Sequence, residues 1–250
     1  MSDVRLLSSY MFALVSAAAS AAAAQDQTVA VRLTGPLTSQ SVDKAIADLN
    51  AASGKQVTLI VTSQGGDVAS ALRLGDAVHS LGADVTVETV CMSSCANYVF
   101  AAGKEKRILP GALVVWHGSV LQRDFRERVQ RYEALLGFAK ERELSPAEAQ
   151  EMKALEVDAP FLKSIQQTQA QFFARVGVDE RITRLGQEPQ QIAENWTVGV
   201  STMDLFGLRR VFAPNDYGTL AYQSPWQSLL RVTCLAVANV GDSLQIERCS

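Results

Sequence analysis

The chain has 250 residues, of which 48% are apolar, 20% charged and 7% aromatic, so it can bury a sizeable core and is neither a disordered tail nor a fibrous repeat. Twenty-three basic against 26 acidic side chains leave a formal charge of −3, which provides no domain-wide positive field for phosphate backbones; nucleic acid is not an expected partner. There are two histidines, His79 and His117, which excludes a multi-histidine zinc site; no metal or cofactor is expected, and histidine proton chemistry has two candidates.

The first 24 residues read as an export signal. Arg5 is a weak positive flank, Leu6 to Ala18 form an apolar run, and Ala22-Ala23-Ala24 before Gln25 fits a small-x-small cleavage site. The alternative is an uncleaved membrane anchor, which an alanine-rich run ending in a cut site favours less. The expected location is periplasmic or secreted. After the signal, strand and helix patterns alternate. Thr28 to Leu33 alternates as a strand, Thr38 to Ala52 has apolar residues at helical spacing, and Val57 to Val61 is a β-branched strand ending at Ser63-Gln64-Gly65-Gly66. A helix with Val68, Ala71, Leu72, Gly75 and Val78 on one face follows, capped by Gly82; then come a strand over Val85 to Val90, a helix over Ser94 to Ala102, and a strand over Leu113 to Trp116. Lys104 to Arg107 reads as a solvated turn. The alternation predicts an α/β fold with helices over a largely parallel sheet.

From about 120 to 176 the pattern becomes that of long amphipathic helices, the second starting at the capping box Ser145-Pro146-Ala147-Glu148. This helical arm either packs within the chain or serves assembly of a homo-oligomer. Trp196 to Val211 returns to strand, helix and strand. The body is thus expected over 25–215 and a small β tail over 216–250. Export favours disulfides among Cys91, Cys95, Cys234 and Cys249. Three connectivities are possible, and local pairing, Cys91 with Cys95 and Cys234 with Cys249, needs the least long-range coincidence.

The chemistry-bearing residues lie between Gly65 and His117. A strand ending in Gly-Gly before a helix leaves backbone N–H groups free where an oxyanion can be held. At the next strand-to-helix junction, Ser93 and Ser94 sit at a turn with small neighbours, which suits a nucleophile, and His117 ends the following strand as a candidate base. His79 falls within a helix and reads as a packing or surface residue.

In their order, SQGG, SSCANYVFAAG, KRILPGALVVWHG and ENWTVGVSTMDLFGLRRV resemble the proteolytic subunit of the Clp protease, within the wider ClpP/crotonase superfamily, and the opening VRLTGPLTSQSVDKAIADLN is similar to that family's first strand and helix. The resemblance runs from about Thr28 to Val211 and implies a ClpP/crotonase-like spiral fold. It also implies a serine nucleophile nine residues before the glycine of Ala-Ala-Gly, which selects Ser94; a histidine seven residues after a Leu-Pro turn, which selects His117; and oxyanion donors at the Gly66 and Cys95 amides. The family's acidic triad member falls at Asn195, which can orient an imidazole but supplies no charge, and Glu194 and Asp204 stand nearby as substitutes. Cys95 is a competing nucleophile.

Without ATP outside the cytosol, the resemblance implies a serine endopeptidase acting on peptides or unfolded segments with no ATP-driven unfoldase. A Lys-based or acyl-CoA chemistry of the same superfamily fits these residues less well. The other class of function is a catalytically silent scaffold that binds peptides or assembles through its arm, to which Asn195 and the cysteines around Ser94 point.

Overall fold

The structure, a computed structural model, describes residues 28–187, 191–241 and 244–249; the expected export signal over 1–24 lies outside them. A strand-helix unit opens the chain and repeats: β1 (Val29–Thr34), α1 (Ser39–Ala51), β2 (Val57–Ser63), α2 (Val68–Ser80) and β3 (Asp84–Met92). Each helix starts where a side chain takes over an orphan amide. The Thr38 hydroxyl accepts from Ser41 N before α1, and the Asp67 carboxylate accepts from Ser70 N before α2. The alternating residues Val57, Leu59 and Val61 of β2 are buried, as are Leu72, Leu74 and Val78 of α2, so sheet and helices close on one core.

With β4 (Lys106–Ile108), β5 (Leu113–Val115) and β7 (Val211–Phe212), these strands form a parallel sheet of order β1-β2-β3-β4-β7. β3 is long enough to serve two partners. Its first half, Val85 to Val87, pairs with β4, and its second half, Val90 to Met92, pairs with β5. The ends of β2, β3 and β5 therefore open at the same carboxyl edge, where open α/β sheets hold their ligands. Lys104 to Arg107 is only partly the solvated turn expected: Lys106 enters β4 and is buried, its Nζ donating to Gly103 O and Arg209 O. Burial, with the Arg210 charge beside it, pushes its pKa down to about 8.

A second sheet joins β6 (Asn195–Val198) in parallel to β8 (Val232–Val240), with β9 (Leu244–Arg248) antiparallel on β8; α6 (Val200–Leu205) and α7 (Leu220–Leu230) lie between. A mutual backbone pair between Trp116 and Trp196, 2.8 Å in each direction, links the end of β5 to β6. The C-terminal segment is knitted into the body: the buried Tyr217 hydroxyl accepts from Val114 N, and the Tyr222 hydroxyl donates to Ala112 O. Both local disulfides are present, Cys91 to Cys95 and Cys234 to Cys249.

The arm has three helices rather than two: α3 (Arg123–Glu141), α4 (Pro146–Leu155) and α5 (Ala159–Val176). The capping box at Ser145 and Glu148 forms as the sequence predicts. The second pattern is broken after Leu155 because Pro160, lacking an N–H, belongs in the first turn of a new helix. The outer arm closes on a small core of Leu135, Leu155 and Ala159. The end of α5 instead joins the main core, where Phe172 and Phe173 pack on Tyr98. Gly75 of α2 makes room: a Cβ there would lie 2.7 Å from Tyr98 O and 2.9 Å from the Phe172 ring. Among the described residues, no helix is long and apolar enough to cross a membrane.

Candidate active site

β3 ends at Met92, paired with Val115 of β5, and the chain turns sharply at Ser93, whose N–H still donates to Val115 O. Ser93 has φ of 61°, a left-handed conformation that costs a non-glycine residue on the order of 1–3 kcal/mol and points its side chain out of the turn. A helix begins at once and is π-wound over Cys95–Phe100. The Cys91 to Cys95 disulfide spans this turn with Ser93 at its centre. Gly65 is pressed against the same turn at φ of 95°; a Cβ there would lie 2.7 Å from Met92 O and 2.8 Å from the Ser93 Cβ. Gly66 is confined from the other side, where a Cβ would meet Leu37 O at 2.5 Å. The two glycines let three strand ends approach more closely than side chains allow.

His117, two residues beyond β5, brings its Nε2 to 2.6 Å from the Ser93 Oγ. His117 is exposed, while its neighbour Trp116 is buried and its backbone is paired with that of Trp196. Partial burial holds the His117 pKa below the usual imidazole value, and the Glu194 charge opposes that shift. The net effect favours the neutral imidazole.

Ser94 does not reach His117. It is 2% exposed, and its Oγ accepts from Gly66 N at 2.9 Å and donates to Gly66 O at 3.1 Å. Ser93, ten residues before Gly103, takes the left-handed turn position in place of Ser94, nine residues before it, and the helix that follows is π-wound over Cys95–Phe100. A signal for this existed in the sequence: Ser93 stands midway in Cys91-x-Ser93-x-Cys95. The first amide after Ser93 is that of Ser94, one residue before Cys95, and the Gly66 amide is engaged by the Ser94 hydroxyl. Cys95 is fully buried and disulfide-bonded, so it offers no thiol.

Asn195 is not brought to His117 either. Its Nδ2 donates to Leu230 O at 2.7 Å, satisfying a carbonyl at the end of α7. Asp204 pairs with Arg209 on the surface. The remaining substitute is Glu194, whose charge bears on His117. His79, at the end of α2, takes no part in this arrangement. Among the described residues, no cluster of three or more His, Cys, Asp or Glu side chains could hold a metal ion.

A serine forced into the left-handed region at a strand-to-helix turn, an imidazole nitrogen on its hydroxyl, and helix-start amides beside it can together carry out acyl transfer. A family model described as Clp protease matches residues 17–127, which include Gly65, Gly66, Ser93 and His117 and end within α3. No curated protein matches the chain.

Proposed function

The chain is a ClpP-like member of the Clp protease family, and on that premise we propose that it is a serine peptidase with Ser93 as nucleophile and His117 as general base. The observation that carries this reading is the 2.6 Å contact between Ser93 Oγ and His117 Nε2 at a strained turn. Ser93 Oγ attacks the scissile carbonyl carbon while its proton passes to His117 Nε2. The carbonyl oxygen becomes an oxyanion facing the Ser94 and Gly66 amides, the latter released as its bond to Ser94 Oγ gives way to the substrate oxygen. His117 then protonates the leaving amine, and water, deprotonated by the same nitrogen, hydrolyses the acyl-enzyme. Glu194, rather than Asn195, supplies the negative charge that favours the imidazolium.

The two disulfides support an oxidising compartment, and with it an exported enzyme acting on peptides or unfolded segments without an ATP-driven unfoldase. The helical arm suits assembly with further copies of the chain. The second reading is a silent scaffold, favoured by the commitment of Asn195 to Leu230 O.

Labelling with a fluorophosphonate probe separates the two. The expected result is labelling of the wild type and of Ser94→Ala, and none of Ser93→Ala or His117→Ala. Labelling that survives Ser93→Ala and vanishes in Ser94→Ala would overturn the assignment, and no labelling of the wild type under oxidising or reducing conditions would leave the scaffold.

A further inference from the structure

From His117 to α3 the chain carries no regular structure, yet each of the four residues from His117 to Val120 is held by a polar side chain from elsewhere. Gln187 Nε2 donates to His117 O at 2.9 Å. Asn97 Nδ2, from the π-wound helix, donates to Gly118 O at 3.0 Å. The Ser119 hydroxyl accepts from Thr183 Oγ1 at 2.9 Å and from Gln169 Nε2 at 3.4 Å, and Gln166 Nε2 donates to Val120 O at 2.9 Å. Gln166 and Gln169 are three residues apart on α5 and so face the loop together.

Gln169 is the junction. It is fully buried, and its Oε1 accepts from the Tyr98 hydroxyl at 2.7 Å. Tyr98 belongs to the helix that starts at Ser94, so one glutamine side chain of the arm ties the nucleophile's helix to the residue two beyond His117. Burial and the Glu180 charge raise the Tyr98 pKa, which keeps the phenol a donor at any physiological pH. The buried run from Tyr98 through Gln169 to Ser119 fixes relative positions, and here the elements it fixes are those that bring Ser93 and His117 to 2.6 Å.

We infer that Gln169, with Gln166 one turn before it, is a positioning residue of the Ser93 and His117 pair, through which the seating of the arm on the body sets the rate at which Ser93 reacts. The inference rests on the peptidase reading above. A displacement of the order of 1 Å between nucleophile and base costs up to about a hundredfold in rate without altering how a reagent first binds.

The test uses the full chain and the kinetics of a fluorophosphonate probe at Ser93, resolved into the maximal inactivation rate, kinact, and the half-saturating concentration, KI. Gln169→Met keeps the side-chain length and removes all three of its bonds, those with Tyr98 and Ser119 and the one from Nε2 to Glu180 Oε2 at 3.3 Å; Tyr98→Phe breaks the same chain from the other end. Each is expected to lower kinact about tenfold with KI unchanged. The double variant loses no more than the more affected single variant, because both cut one connection. Gln166→Met, at a half-buried position that folding tolerates, lowers kinact about threefold, and Gln166→Lys, which keeps a donor for Val120 O, restores it. Wild-type protein that takes no probe at Ser93 overturns the peptidase reading and this one with it. Normal wild-type labelling with undiminished kinact in both Gln169→Met and Gln166→Met, or a change confined to KI, overturns this one alone.

Discussion

Around Ser93 the chain is confined on every side: a disulfide across the turn, two glycines behind it, and the tryptophan-locked strand end that carries His117. The outer arm is held quite differently, by three buried apolar side chains and by ion pairs such as Arg128 with Asp158, Arg131 with Glu151 and Lys163 with Glu133, whose side chains are all more than a third exposed. Pairs so exposed contribute on the order of 0–1 kcal/mol each. The contrast teaches that the site is built on the rigid part of the molecule, while the arm belongs to its low-stability end and opens first.

The contrast breaks most severely if the confinement at the turn is removed. Gly65→Ala places a Cβ 2.7 Å from Met92 O at a φ of 95°, and we expect a loss of about 3 kcal/mol or more, read as a fall in the urea midpoint of the whole chain. Leu135→Ala, in the arm's small core, costs about 2–4 kcal/mol and affects one region only. Hydrogen exchange is expected to show protection lost over α3 and α4 and kept over β2 and β3. Loss of protection in both would mean that arm and body form one cooperative unit.

Acid dependence sharpens the contrast from the side of the site. Because partial burial lowers the His117 pKa, the neutral base persists below the ordinary imidazole range, so the labelling rate falls only at a pH under about 6.5. Removing the opposing charge with Glu194→Gln moves that midpoint further down; a move upward would mean that Glu194 does not face the imidazole. The smallest effect is expected for Arg131→Ala, which breaks an exposed arm pair and changes stability by at most about 1 kcal/mol in chemical denaturation.

Much of the body was legible in the sequence because its signals are local. The periods of β1, α1, β2, α2 and β3 place each element within two residues of its observed bounds, and the Ser145 capping box marks α4. β4 was missed because three residues at Lys106–Ile108 carry too short a pattern, and α7 because it holds Pro225 within a stretch that reads as tail. Gly65, Gly66 and His117 could be named from turn chemistry and scarcity. The choice between Ser93 and Ser94 could not, since the two hydroxyls share one turn and only its backbone conformation sends Ser93 to His117 and Ser94 to Gly66. The place of Asn195 was also hidden: whether its amide meets a ring or the last carbonyls of α7 depends on a helix distant in the chain.

The most direct test of the Ser93 and His117 pair is the site of the covalent adduct. Wild-type protein labelled with a fluorophosphonate, then reduced, digested and sequenced by fragmentation mass spectrometry, is predicted to carry the phosphonyl group on Ser93. An adduct on Ser94 would contradict it, and would mean that the hydroxyl now bonded to Gly66 leaves its pocket to react.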